Sequence, residues 1–206
     1  MKVLAVAKVI EIRKSNVFYV KEISIVKTLV AKAFDDGNIG RDVVKAFRTV
    51  KRKLKRGANA RNRTVSIAEY KGLIKESPLH LRTSVIIRYN TGMRLGQIRE
   101  LKWSQVDRKD GFIRLTDSDT KEGRAKIVPI NHNVKTVLSE LPRALNHDHV
   151  VTYKGRPISS RGGLKRSFTT TCKNAKIPCG RKTPNGVTFH DIRRSVNIHM
   201  TRAGSK

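Results

Sequence analysis

Apolar positions recur along this chain with two periods, and the changes of period mark out its elements. Ile25, Leu29, Ala33 and Phe34 stand at i, i+4, i+8 and i+9, one stripe of a helix beginning near Ile23. Asp36-Gly37-Asn38-Ile39-Gly40 is turn chemistry that should stop it. Upstream, Val3, Leu4, Val6, Val9 and Ile10 suit a strand or a helix, whereas the β-branched and aromatic run Val17-Phe18-Tyr19-Val20 predicts a strand. Further on, Ser66 and Glu69 form a capping-box pattern that opens a helix to about Lys75. Pro78 resets the chain, Leu79 to Asn90 is apolar enough to be a buried helix, and Gly92 ends it. Leu95, Ile98 and Leu101 share one face of a short helix.

Phe112–Leu115 and Lys126–Ile130 predict short strands, joined by a polar turn that contains Lys121, Glu122 and Gly123. Val134, Val137, Leu138 and Leu141 make a helix that Pro142 ends, and Val150–Tyr153 a strand that turns at Lys154-Gly155. Leu164, Phe168 and Cys172 continue a helical stripe, and Pro178 to Gly186 is a loop. Thr188 and Asp191 repeat the capping pattern ahead of a last helix, from about Phe189 to Arg202. Together these elements predict a mainly α protein with a small β-sheet, an α+β fold.

Charge sharpens the picture. Forty-five Lys and Arg against 16 Asp and Glu give a net charge of +29 over 206 residues, with pI near 10.9. A chain this basic seeks polyanions: DNA or RNA first, because neutralising phosphates releases counterions, and an anionic membrane second. A ribosomal-type RNA scaffold has the same composition. Residues 41 to 63 hold ten of the cations (41, 45, 48, 51, 52, 53, 55, 56, 61 and 63) and a single acid, Asp42. They read either as a solvated face or linker, or as a segment that tracks a phosphate backbone, with Lys51, Arg52, Lys53, Lys55, Arg56, Arg61 and Arg63 as DNA contacts. The run Gly57-Ala58-Asn59 and the loss of apolar residues after Leu54 predict a boundary near 57 to 64, dividing 1–63 from 64–206. Cys172 and Cys179 match no zinc spacing and read as free thiols in a reducing compartment. The apolar run at the start is cut short by Lys8 with no cleavage pattern after it, and no stretch approaches the roughly 20 apolar residues of a membrane span. The expectation is a cytoplasmic protein, nucleoid-associated if bacterial, with no membrane partner.

Three small groups carry candidate chemistry. Arg94 follows a glycine stop at the mouth of a short apolar helix, where a helix starts inside a core. A guanidinium there needs either a carboxylate, as a structural salt bridge, or a bound anion, for which its planar fork suits phosphate. His190 and Arg193 are three apart, on one face of a helix near its start, where the dipole adds to their pull on an anion. Lys121 is either a surface lysine or a hairpin-tip group that reaches a nucleic-acid groove.

Thr91-Gly92-Met93-Arg94-Leu95-Gly96-Gln97-Ile98, then a strand–Thr120-Lys121-Glu122-Gly123–strand hairpin ending at Val128-Pro129, then Thr188-Phe189-His190-Asp191-Ile192-Arg193-Arg194-Ser195, in that order, resembles the tyrosine recombinase (phage integrase) family. Leu101 to Asp107 is also similar to that family, and the resemblance covers about Ser66 to Gly204. Ile25 to Arg63 is similar to the last helix of the family's arm-like core-binding domain and the linker after it. The resemblance implies a tyrosine-recombinase catalytic-domain-like fold, incomplete at the C-terminus. Arg94 and Arg193 would grip the non-bridging oxygens of the scissile phosphate, Lys121 would protonate the departing 5′-hydroxyl, and His190 would assist proton transfer or hold the phosphate. It implies double-stranded DNA and other recombinase subunits as partners, and no metal or other cofactor.

The chain departs from the family's pattern in four places. Gln97 stands where the family usually has an acid, Arg194 where a histidine is common, and the N-terminal arm looks cut short. The nucleophilic tyrosine, which in the family follows the second arginine, is missing: thirteen residues follow Arg193, and the four tyrosines (Tyr19, Tyr70, Tyr89 and Tyr153) all precede His190, Tyr153 being the least implausible substitute. The expectation is a truncated recombinase of a mobile element that binds DNA, serves recombination and integration, and does not cleave alone. A tyrosine from a partner subunit, competition with a full-length recombinase, and a basic RNA-binding scaffold remain as alternatives. A last helix without later helices to cover it is expected to expose Val196, Ile198 or Met200 and to depress solubility.

Overall fold

A computed structural model describes residues 16–50 and 61–203. The chain divides into two compact units, Met1–Arg61 and Asn62–Lys206.

The first unit contains helix α1 (Asn16–Asp35) and helix α2 (Arg41–Arg48), which pack against each other. Val17-Phe18-Tyr19-Val20 lies inside α1 and is not a strand. Its β-branched and aromatic residues are only a few tenths of a kcal/mol poorer in a helix than the best formers. No Gly or Pro interrupts the run from Asn16 to Asp35, so a helix nucleated downstream propagates through it. The inward stripe is also displaced. Ile23 is buried and Val26, Val30, Ala33 and Phe34 half-buried, whereas Ile25 and Leu29 are 59% and 61% exposed. Apolar residues occupy two adjacent faces of α1, and a periodicity argument cannot tell which of them meets α2. The turn after α1 is the predicted one, with Gly37 at φ +74° and the Asn38 amide bonded to Ala33 O at 2.8 Å. α2 takes up the first part of the basic tract 41–63. Val43, Val44 and Phe47 form its half-buried face while Arg41, Lys45 and Arg48 stay exposed, so the cations ride on an amphipathic helix. Lys51, Arg52, Lys53, Lys55 and Arg56 lie outside the described residues, as do Val3, Leu4, Val6, Val9 and Ile10.

The second unit is built around one helix. In chain order it runs α3 (Ile67–Glu76), α4 (Leu79–Thr91), α5 (Leu95–Glu100), a single 3₁₀ turn (Trp103–Gln105), β1 (Val106–Asp107), β2 (Phe112–Leu115), β3 (Lys126–Pro129), α6 (His132–Glu140), β4 (Thr152–Tyr153), β5 (Arg156–Pro157), α7 (Arg161–Asn174) and α8 (Phe189–Ala203). Helix α4 touches α3, α5, α6, α7 and α8. It buries His80, Leu81, Thr83, Ser84, Val85, Ile87 and Arg88, so it is covered nearly all round. β1, β2 and β3 form an antiparallel sheet in that order, Val106 opposite Ile113 and Arg114 opposite Ile127. The two-residue β1 gives no periodic signal of its own, and pairing with β2 is what makes it a strand. β4 and β5 close a tight hairpin at Lys154 (φ 51°) and Gly155 (φ 71°), two left-handed residues as a type I′ turn requires. No helix among the described residues is long and apolar enough to cross a membrane.

Local signals set several boundaries. Ser66 Oγ accepts the Glu69 amide while Glu69 Oε2 accepts the Ser66 amide, both ends of the predicted capping box. Asn131, which sequence reasoning passed over, caps α6 by accepting the Val134 amide at 3.1 Å. Val196 is not exposed, as expected, but 6% accessible. The turn at Gly92 lets α8 come close: a Cβ placed on Gly92 would meet Val196 Cγ1 at 3.9 Å. Ile198 is half-buried, and the Met200 side chain lies outside the described residues.

Gly92 is left-handed (φ 64°), and its amide closes α4 on Arg88 O at 2.9 Å. Substituting Gly92→Ala should destabilise the unit by roughly 1–2 kcal/mol, because an L side chain pays the left-handed penalty there. Urea unfolding measures this, and an unchanged midpoint would contradict it.

Candidate functional site

The site grows out of the C-terminal end of α4. After the left-handed stop at Gly92, Met93 turns into the core at 1% exposure, its amide donating to Thr91 Oγ1 at 3.3 Å. Arg94 is the N-cap of α5 (φ −71°, ψ 149°), with its amide on Gln97 Oε1 at 2.9 Å and its carbonyl accepting from the Ile98 amide at 3.0 Å. Its backbone is thus fixed from both sides. The guanidinium is not inside the core as expected. An N-cap residue departs from the helix path, and the side chain reaches the surface, 38% exposed. There it forks onto Glu122: Nη1 donates to Oε2 at 2.7 Å, and Nη2 to Oε1.

Glu122 and Lys121 sit in the connection between β2 and β3. Asp119 holds that segment, its Oδ2 accepting from the Thr116 amide at 2.8 Å and from Gln105 Nε2 at 2.8 Å. Thr120 Oγ1 donates to Arg124 O at 2.7 Å, across the bend that contains Lys121. Lys121 is exposed and shares a cleft of about 330 Å³ with Arg94, Gly96, Gln97, Gln105 and Asp119.

α8 supplies the other half. Asp191 Oδ2 accepts from both the amide and the hydroxyl of Thr188 at 2.8 Å, one half of the predicted capping box, while the Asp191 amide bonds the Thr188 carbonyl at 2.9 Å in place of the hydroxyl. Ser195 Oγ accepts the Val65 amide at 2.7 Å, pinning the buried side of α8 to the start of the unit. With Asp191, Ile192, Ser195 and Val196 buried, His190, Arg193 and Arg194 are left on the outer side. Arg194 bonds Asn62 Oδ1 at 3.0 Å. Arg193 feels both Arg94 and Glu122: its pKa is lowered by burial and by Arg94, while Glu122 pulls the other way. Glu122 is in turn held below the usual carboxylate range, mainly by its bond to Arg94 and further by Arg193. Two arginines roughly a hundred residues apart in sequence therefore act on one carboxylate.

One residue of this region was missed. Arg88, in the last turn of α4, is 3% exposed. Nη1 donates to Met93 O at 3.0 Å, and the guanidinium carbon lies 4.9 Å from the centre of the Phe189 ring. Burial, with Arg193 adding to it, pushes its pKa down to about 10. A cation inside the run Val85-Ile86-Ile87-Arg88 was the available signal.

Other candidates lie elsewhere. Arg63 is committed to the fold, with Nε on Asn185 O at 3.0 Å and bonds to Thr64 O and Glu69. Arg61 is half-buried. Tyr153 stands on the β4–β5 hairpin, edge-on to His80 (4.9 Å), in a separate groove with Arg156 and Arg166. Tyr70 and Tyr89 stack on each other at 3.8 Å. No group of three or more His, Cys, Asp or Glu that could hold a metal occurs among the described residues.

A model of the phage integrase family matches residues 58–206. The chain is 28% identical over 158 residues to tyrosine recombinase XerD of Halalkalibacterium halodurans, covering 69% of this chain and 50% of that protein. It is 25% identical to the integrase of Escherichia phage lambda, covering 79% of this chain and 45% of that one. It thus spans about half the length of these relatives. In fold it is similar to a lambda integrase (75–356) dimer bound to a COC′ core site, with a TM-score of 0.66, 22% identity and coverage of 88% of this chain and 65% of that one.

His190 should titrate below its ordinary 6.5, because burial and the cations Arg88, Arg193 and Arg194 outweigh Asp191. The unfolded chain then takes up the proton first, so stability falls as pH drops below 6.5, until His190 itself protonates. NMR titration of the His190 ring protons measures the midpoint, and a value at or above 6.5 would refute this.

Proposed function

The chain belongs to the phage integrase family, and from that membership we propose that it binds double-stranded DNA and holds one backbone phosphate between Arg94, His190 and Arg193. The observation that carries this reading is the fork of Arg94 on Glu122, with Arg193 near enough to feel the charge of both. A carboxylate and a phosphate present the same pair of oxygens to a guanidinium fork, so Glu122 occupies Arg94 much as a phosphate would. An arriving phosphate displaces it and gains both arginines at once. His190 adds a hydrogen bond to the same group, and Lys121, which lines a cleft with Arg94, is the proton donor to a departing 5′-oxygen on this reading.

The reaction served is strand exchange in recombination and integration. A tyrosine oxygen attacks phosphorus, the bond from phosphorus to the 5′-oxygen breaks, and the 3′ end stays on the tyrosine. Charge building on the non-bridging oxygens is met by the two arginines, so the cations do electrostatic work that elsewhere falls to a metal. Tyr70 and Tyr89 are occupied with each other, and Tyr153 lies in the other groove. On this reading further recombinase subunits are the natural partners, one of them supplying the nucleophile. The compartment is the one that holds the DNA, the cytoplasm with its nucleoid in a bacterium. A basic RNA scaffold is not favoured, since charge is all that reading explains.

Duplex affinity should fall steeply with salt, and Arg94→Ala with Arg193→Ala should flatten the log–log slope by about two, one per lost phosphate contact. Affinity indifferent to salt would remove DNA as the ligand. On a suicide duplex the chain alone should form no covalent adduct, and adding a tyrosine-bearing subunit should raise trapping. An adduct formed by the chain alone would overturn the assignment of the nucleophile.

A further inference from the structure

Arg88 is a buried cation for which the phosphate clamp, as described, has no use. A guanidinium that is 3% exposed is expensive to hold unless it is paired and its donors are bonded. Arg88 meets neither condition. Its Nε is buried with no hydrogen-bond partner among the described residues, and no described carboxylate is paired with it. What it does hold is specific. One nitrogen bonds Met93 O at 3.0 Å, the carbonyl directly before Arg94. Its flat face lies 4.9 Å from the Phe189 ring, directly before His190. Arg88 therefore touches the residue preceding each half of the clamp, and it lies close enough to His190 and Arg193 to influence both electrostatically.

We propose that Arg88 is a positioning residue: it ties the Gly92–Arg94 turn to the start of α8, and it lends the clamp a buried positive charge that a bound phosphate balances. This rests on the reading of Arg94, His190 and Arg193 as a phosphate site. It explains why an arginine stands where the surrounding helix asks for an apolar side chain. The cation is uncompensated in the empty site because its counter-charge arrives with the ligand. It also separates two tasks. Arg94 and Arg193 touch the phosphate, while Arg88 acts through them, fixing the backbone that aims Arg94 and the helix start that carries His190.

The test uses the full chain with Arg88→Met, which keeps the length and apolar stem but removes the charge, and Arg88→Lys, which restores a cation. Two quantities are read: the His190 midpoint by NMR without ligand, and the affinity for inorganic phosphate followed on the same ring protons. Arg88→Met should move the midpoint up toward 6.5 and weaken phosphate roughly tenfold. Arg88→Lys should keep the midpoint near wild type and recover part of the affinity. A residue that merely fills space would leave the midpoint where it was. An unmoved midpoint with unchanged affinity, or a loss of affinity that lysine does not rescue, overturns the proposal. Should Arg88→Met not fold, Phe189→Leu removes the aromatic face and keeps the charge. Phosphate should then weaken several-fold with the midpoint unchanged, and wild-type affinity in that variant overturns the proposal as well. If the wild-type chain binds neither phosphate nor duplex, the clamp itself is refuted and Arg88 with it. If wild type binds and the variants do not differ, only Arg88's role is lost.

Discussion

The left-handed stop at Gly92 is the constraint on which the site depends. Helix α4 is covered on nearly every side, so it cannot shift without opening the core around Leu81, Val85 and Ile87. Its end is correspondingly rigid, and the single residue with φ 64° converts that rigidity into a change of direction. The same turn buries Met93, presents Arg94 as the N-cap of α5, and packs beside Val196 of α8. Arg94 and the α8 pair are thus placed by one element, and α8 is held in turn by its own cap and by Ser195 on the Val65 amide.

Electrostatics then works against the fold at this spot. Arg88, Arg94 and Arg193 act on one another electrostatically in a chain of net charge +29, with Glu122 as the carboxylate that answers Arg94 and Arg193. Like charges held together by the packing of α4 and α8 make a site that gains when an anion arrives, because binding relieves repulsion as well as forming bonds. Glu122 supplies part of that relief in the free protein. It is exposed and on a connecting segment, hence easy to displace.

Which residues take part was partly legible in the sequence. Arg94, Lys121, His190 and Arg193 stood out through the resemblance of three ordered motifs to the phage integrase family, each motif being weak by itself. Arg88 and Glu122 were passed over, since the local signal each carries is weak. A cation within an apolar run and an acid beside a turn lysine both read as ordinary until the fold shows what each one meets. Arg63 belongs to the basic tract by composition, and in the fold its guanidinium also bonds Asn185 O and Glu69.

Sequence alone determined the elements whose causes are local. The capping box at Ser66, the Asp191 bonds to Thr188, the stop at Gly92 and the turn at Lys154-Gly155 are decided by a few neighbouring residues, and the pattern names those residues directly. Tertiary structure decided whatever depended on a distant partner. It chose helix over strand for Val17–Val20, selected the Ile23 stripe over the Ile25 stripe, and made a strand of Val106–Asp107 by pairing it with β2. It brought Glu122 to Arg94 and enclosed Arg88 between Met93 and Phe189. The physical reason is the same throughout. Propensity and capping act within one turn of chain, whereas burial and charge pairing depend on which surfaces meet.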